Sequence, residues 1–260
     1  MITYSEKHPA APLWLVLIFG CLCACSGGGP DKVAEIYQDW ETFTRGNIKI
    51  VHPAEHPLEH SFEEMAAVYS TIINRNCRFF EIPVPRETLV VLYYSGYGQG
   101  RAITGEEFPF ARNDTIHFWV PSYYGPVVMR YLLPRWLDIE PEYRFLKHGL
   151  IALFDYSGQD YHGATLGRLE DGTFIPLDSL AADTTVNSDK ERYQSAEAAS
   201  FIDFFSFRFG IEGLNLLYRS RGSFDRTAPV LFQMPVDSLQ TLWLDFARER
   251  VRADSAATTE

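Results

Sequence analysis

The side chains best suited to chemistry are histidines: His52, His56 and His60 at intervals of four, then His117, His148 and His162. An interval of four puts two imidazoles on one face of a helix. With a third protein ligand, an open position for water and a carboxylate base, such a pair makes a hydrolytic zinc site. Pro53 and Pro57 interrupt the triplet, and a proline inside a helix removes a hydrogen bond and clashes with the preceding turn. The segment therefore reads as a strand-to-helix loop with its histidines on the surface. His117 alternates with Ile116 and Phe118 on a strand pattern, which predicts a half-buried, hydrogen-bonded ring. His148 lies in the apolar run 145–154, where packing is its simplest role. His162, in Gln159-Asp160-Tyr161-His162-Gly163, falls in a polar loop with no partner evident. The chain has no Gly-x-Ser-x-Gly elbow and no dinucleotide-binding glycine pattern, and the glycines of 96–100 lack the lysine and spacing of a phosphate loop.

The elements that must position these residues follow from periodicity. Residues 31–40 read as a short helix and 47–52, with alternating branched side chains, as a strand. Ser61 reads as a helix cap with Glu63 and Glu64 in the first turn, and Met65, Val68, Ile72 and Ile73 continue the helix to about Phe80. Two further strands are expected at 88–94 and 115–120, the first after Pro83 and Pro85. Beyond Pro121 the pattern becomes helical, at 127–133 with Pro134 kinking or closing it, 143–156, 193–209, 212–218 and 236–250. Residues 166–189 are polar and turn-rich and predict a surface loop with a hairpin, and 253–260 is too polar to pack. The fold class is α+β, a small mixed sheet lobe with a long helix followed by a mainly helical lobe.

The first residues speak to location. Lys7 precedes an apolar run, 13–22, which as a helix spans only about 15 Å against a bilayer core of roughly 30 Å. It has the size of a signal-peptide core. The following Leu22-Cys23-Ala24-Cys25-Ser26 resembles the lipobox of bacterial lipoproteins, and Gly27-Gly28-Gly29-Pro30 would supply a flexible tether. That resemblance implies removal of residues 1–24, acylation (palmitate) at Cys25, and a lipid bilayer as partner. Ser26 resembles the sorting pattern that favours the outer membrane, facing the periplasm or the exterior. Cys77 would then be the one remaining thiol, a small core residue. The expected organisation is a signal peptide (1–24), a tether (25–33), a single domain (34–250) with a sheet lobe at about 45–122 and a helical lobe at about 123–250, and a disordered tail (251–260). A net charge of −11 argues against a nucleic-acid partner, which demands basic patches.

Three phrases in this order carry a family resemblance: Val127-Val128-Met129-Arg130-Tyr131-Leu132-Leu133-Pro134-Arg135-Trp136, then Phe145-Leu146-Lys147-His148-Gly149-Leu150-Ile151-Ala152, then Tyr193-Gln194-Ser195-Ala196-Glu197-Ala198-Ala199-Ser200-Phe201. Across roughly residues 45–250 the chain resembles the gluzincin-like, "peptidase MA-like" metallopeptidases. In them a sheet lobe precedes a helix bearing His-Glu-x-x-His, and a second helix carries the third ligand, a glutamate. The resemblance implies a zincin-like fold with a substrate cleft, lined here by Arg130, Tyr131, His148 and Tyr193, with aromatics such as Tyr97, Phe110, Trp119 and Tyr123 near the lobe junction. The departures bear on activity. Residues 127–133 hold neither histidine nor glutamate, His148 stands where the third ligand would be, and Arg130 sets a fixed cation where a metal would sit. The expectation is a catalytically inactive relative with no zinc or other cofactor, which binds a protein or peptide in the old cleft. Two alternatives stay open: an active metallopeptidase with relocated ligands such as His117, His148 and Glu142 or Asp155, and a structural subunit of an envelope complex.

Overall fold

Alternating burial along three strands decides which face of the sheet is inside. Ile48, Ile50 and His52 on β2 (Ile48–Pro53), Leu89, Val91 and Tyr93 on β3 (Leu89–Tyr93), and Ile116 and Phe118 on β5 (Thr115–Phe118) are buried, and the residues between them are half-buried. The computed structural model describes residues 37, 39–54, 61–112, 114–119, 124–182 and 188–257, without the side chains of 188–194. Within it Glu41–Glu260 is one compact unit, distinct from Met1–Trp40. The sheet has five strands in the order β1-β2-β3-β5-β4, with β1 at Trp40–Arg45 and β4 at Phe110–Arg112. β2, β3 and β5 are parallel, with Ile50 beside Val91 and Val91 beside Ile116. β4 runs antiparallel to β5, with Ala111 beside Ile116, and forms one edge. Among the described residues this sheet and nine helices make an α+β fold.

α1 (Phe62–Phe79) covers the buried face. Its start is fixed by a capping box, in which Ser61 accepts the Glu64 N–H and Glu64 accepts the Ser61 N–H. Met65, Ala66, Tyr69, Ile72, Ile73 and Cys77 then recur at helical spacing and pack with Ile50, Val91 and Phe118. Each large apolar side chain so buried contributes about 1.5–3 kcal/mol. α3 (Tyr124–Trp136) adds Val127, Val128, Tyr131 and Leu132 to this core and sends Met129 and Leu133 into a second one. It is the hinge between sheet and helices.

The second core lies among α4 (Arg144–Leu153), α6 (Leu177–Ala182), α7 (Ser188–Arg219), α8 (Phe224–Phe232) and α9 (Val236–Ala257), around Leu146, Leu150, Phe201, Phe205 and Trp243. α4 and α7 make the most extensive contact of any pair. They touch at Gly149, where a Cβ would lie 2.6 Å from the Ala198 carbonyl oxygen. At Gly210, with φ 69°, α7 breaks into two helical segments, as a glycine there predicts.

Several expectations are corrected. Residues 166–189 do not form a hairpin loop: α5 (Tyr161–Glu170) and α6 occupy much of the stretch. Gly163 and Gly167 mask the helix, which is started by Asp160 accepting the Gly163 N–H at 2.8 Å. The glycines of 96–100 open α2 (Tyr97–Thr104), because a Cβ at Gly100 would meet the Phe108 ring at 2.6 Å. Trp40 heads β1 rather than ending a helix. α9 continues to Ala257, through part of the tail expected to be disordered, helped by Arg250 lying 5.0 Å over the Phe246 ring and 5.6 Å over the Phe207 ring. The signal peptide, Cys25 and the tether lie outside the described residues, as do His56 and His60.

Gly149→Ala tests the crossing. In an isolated helix this change stabilises by about 1 kcal/mol. Here it is expected to destabilise, and a melting temperature equal to or above that of the wild type would show that α4 and α7 do not meet backbone to backbone.

Candidate functional site

The hollow between α3, α4 and α7 is built by three helix registers. Pro126 and Arg130 are one turn apart on α3, so they share a face, and His148 on α4 and Ser195 on α7 line the opposite walls. Asp155 and Tyr161 close one side of a space of about 430 Å³. Asp155 is already engaged, since it accepts the Ser157 N–H at 2.8 Å and a short hydrogen bond from the Tyr161 hydroxyl. Burial and this bond push the Tyr161 phenol well above its ordinary value.

Arg130 is exposed, and among the described residues it has neither hydrogen bond nor ion pair. It also lines a second space, of about 490 Å³, with Phe110 and Ala111 of β4, Leu133, Leu137 and Tyr218. Arg130 thus lines both the polar hollow and a groove beside the sheet edge that is apolar at Phe110, Leu133, Leu137 and Tyr218 and charged at Asp138, Glu140 and Lys147. Lys147, the other cation of the groove, is held by Glu140 at 2.7 Å.

Of the expected cleft residues, Arg130 and His148 are brought together in the hollow. Tyr131 is not. One position further round α3, it turns toward the sheet core at 1 % exposure and is covered by Arg135 at 3.8 Å from its ring centre. The Tyr193 side chain lies outside those described.

The relocated ligand set is not assembled. His117 is stacked on Phe110 at 4.2 Å and bonded through Nδ1 to the Tyr94 hydroxyl at 2.9 Å, and burial, with Arg112 nearby, pushes it down to about 4. Glu142 instead accepts the Gly222 N–H at 3.1 Å, away from the hollow. Among the described residues no three His, Cys, Asp or Glu side chains gather as a metal ion requires. His52 is buried against Phe62, with ring centres 4.0 Å apart, rather than on the surface. His52 lies on β2, and Phe62, the first residue of α1, stacks against its ring.

Sequence reasoning missed a second constellation. His162 has partners after all: Nδ1 lies 2.8 Å from Ser200 Oγ and Nε2 lies 2.9 Å from Asp203 Oδ2. With Nε2–H donating to the carboxylate, Nδ1 accepts from the serine, whose oxygen also accepts the Trp243 indole N–H at 2.9 Å. The groups are those of a serine hydrolase, but their placement is not. Ser200 is fully buried in mid-helix, where neighbouring N–H groups are spent on the helix and none is free to hold an oxyanion. The network pins α5, α7 and α9 together. Ser200→Ala would leave the indole N–H buried without an acceptor, a cost of about 1–3 kcal/mol. Urea denaturation should show that loss, and a serine-directed fluorophosphonate should leave Ser200 unlabelled.

Glu197 is buried on the same helix. It accepts the Ile175 N–H at 2.9 Å and lies 3.1 Å from Arg168 Nη1 without a well-aligned hydrogen bond on that oxygen. Burial, outweighing both partners, pushes its carboxyl up to about 7. A raised folded-state value gives stability that is full below about pH 4.5 and is lost as pH rises through about 7, a span of about 3 kcal/mol. His117, pushed down, contributes the opposite slope below its ordinary value of 6.5, so the total profile is partly compensated. The readable quantity is the difference between variants. Relative to wild type, Glu197→Gln should gain about 3 kcal/mol between pH 4.5 and pH 7.5. A difference that stays constant with pH would remove Glu197 from the account.

No protein-family model matches this chain, and no curated protein matches it. No described helix is long and apolar enough to cross a membrane.

Proposed function

We propose that this chain is an exported lipoprotein, acylated at Cys25, whose domain resembles a zinc peptidase but binds a protein or peptide without cleaving it. One observation carries the reading. The α3 face toward the hollow presents Pro126 and Arg130 one turn apart, with His148 opposite. Proline offers a metal nothing, and a guanidinium cannot be deprotonated in a protein and repels a dication. One imidazole and the Asp155 carboxylate, which is already hydrogen-bonded, then remain where a hydrolytic site needs three ligands and a base.

The groove itself supports binding. β4 is an edge strand, and an extended peptide can pair with such an edge while its side chains enter the adjoining apolar space beside Leu133 and Leu137. The lipobox-like run at 22–26 supports placement in the cell envelope, lipid-anchored, with Ser26 favouring an outer membrane.

Two measurements test the reading. Full-length protein without a histidine tag should carry far less than one zinc per chain and show no chelator-sensitive peptide hydrolysis. Stoichiometric zinc lost together with hydrolysis would overturn inactivity. Separately, Cys25→Ser should abolish incorporation of labelled palmitate and release the protein from membranes, whereas unchanged labelling would refute the anchor.

A further inference from the structure

We infer that Arg130 is the anchor for the C-terminal carboxylate of a bound peptide, so that the groove selects free chain ends. This rests on the peptide-binding reading above and names its ligand class. Lys147 is paired with Glu140, and Asp155 accepts hydrogen bonds from the Tyr161 hydroxyl and the Ser157 N–H. Among the described cations that line the two spaces, Arg130 is the one without an ion pair or hydrogen bond, in a chain of net charge −11.

The chemistry of the surroundings narrows the anion. A guanidinium fork matches the two oxygens of a carboxylate and binds them in parallel. The Asp155 carboxylate in the hollow and Asp138 in the groove oppose a second negative charge, which disfavours a phosphate dianion and suits a monoanion. Topology narrows the source. A strand added along β4 reaches Arg130 through the apolar groove, and beyond it the hollow is walled by Ile151, Ala152 and Ala196, on the α4–α7 seam closed at Gly149. β4 offers only three residues to pair with, so the added strand is short and brings its own end to the groove. His148 and Ser195 line the same walls, each already engaged within the protein.

The test uses full-length protein in detergent and three pools of fluorescein-labelled hexapeptides of randomised uncharged residues: free acids, C-terminal amides, and amides carrying one internal aspartate. Sequences retained by the protein are identified, resynthesised in all three forms and titrated by fluorescence polarisation. The free acid should bind about tenfold or more tighter than its amide. Arg130→Gln should equalise acid and amide, and Arg130→Lys should restore part of the preference, since a point charge replaces the fork. Arg130 is exposed and outside both cores, so neither change threatens folding. Equal binding of acid and amide by wild type, or a preference that survives Arg130→Gln, overturns this inference and leaves peptide binding standing. Aspartate-containing amides that bind as tightly as the free acids reassign the carboxylate to a side chain and overturn the terminus. Failure of every pool to bind sinks the peptide-binding reading and this inference with it.

Discussion

Bare backbone at Gly149 lets α4 and α7 approach until a Cβ on one would lie 2.6 Å from the Ala198 carbonyl oxygen of the other. Much of the helical lobe depends on that contact. It sets the rotation of α7, and the rotation of a helix distributes its side chains among neighbours at about 100° per residue. Ser195 and Ala196 fall toward the hollow, Glu197 toward Ile175 and Arg168, Ala198 onto α4, and Ser200 and Asp203 toward His162. His148 precedes Gly149 on α4 and is thereby carried to the hollow side of the crossing. A few ångströms more between the two helices would dissolve every one of these placements.

Polar groups buried along α7 are costly unless they are satisfied, and here they act as directional fasteners on an apolar lobe. Ser200 receives an indole N–H and meets an imidazole, so α5 and α9 each have one allowed rotation against α7. Glu197 receives a backbone N–H from the connection between α5 and α6. Apolar contacts such as Phe201 with Phe205 and Trp243 stabilise the lobe without specifying its register, because large side chains can repack at modest cost. The hydrogen bonds specify it. This division explains how a serine, a histidine and an aspartate come to lie in a relay-like order in a helical lobe that they help to register.

How far this was legible from sequence differs by element, for physical reasons. Strong periodicity with a cap at Ser61 made α1 readable, and alternation made β2, β3 and β5 readable. β4 was not, because three residues at an edge carry no period and owe their strand to pairing with β5. α5 hid behind two glycines that read as turns. Arg130 and His148 line one hollow because α3 and α4 bring them there, a tertiary placement that neither residue's local sequence encodes. Tyr131 went astray because a neighbour of an outward-facing residue turns by about 100°, here into the sheet core. The His162 cluster was beyond reach, since its partners lie 38 and 41 residues away and only tertiary packing joins them.

The hollow and a hydrolytic metal site would differ in more than their ligands. A metal site concentrates positive charge and surrounds it with lone pairs. Here the positive charge is covalently fixed on Arg130, and the facing groups are an imidazole, a hydroxyl and a carboxylate already bound by Tyr161. The two would share a positive charge and differ in the chemistry it supports. A guanidinium at the edge of groove and hollow can bind an anion by hydrogen bonding but cannot coordinate and activate a water. Association with a ligand bearing one negative charge compensates that cation without adding a new ion to the lobe. A ligand lacking the charge would bury or crowd the guanidinium and leave it uncompensated. The unpaired state of Arg130 in the free protein is thus the physical condition that allows selectivity there.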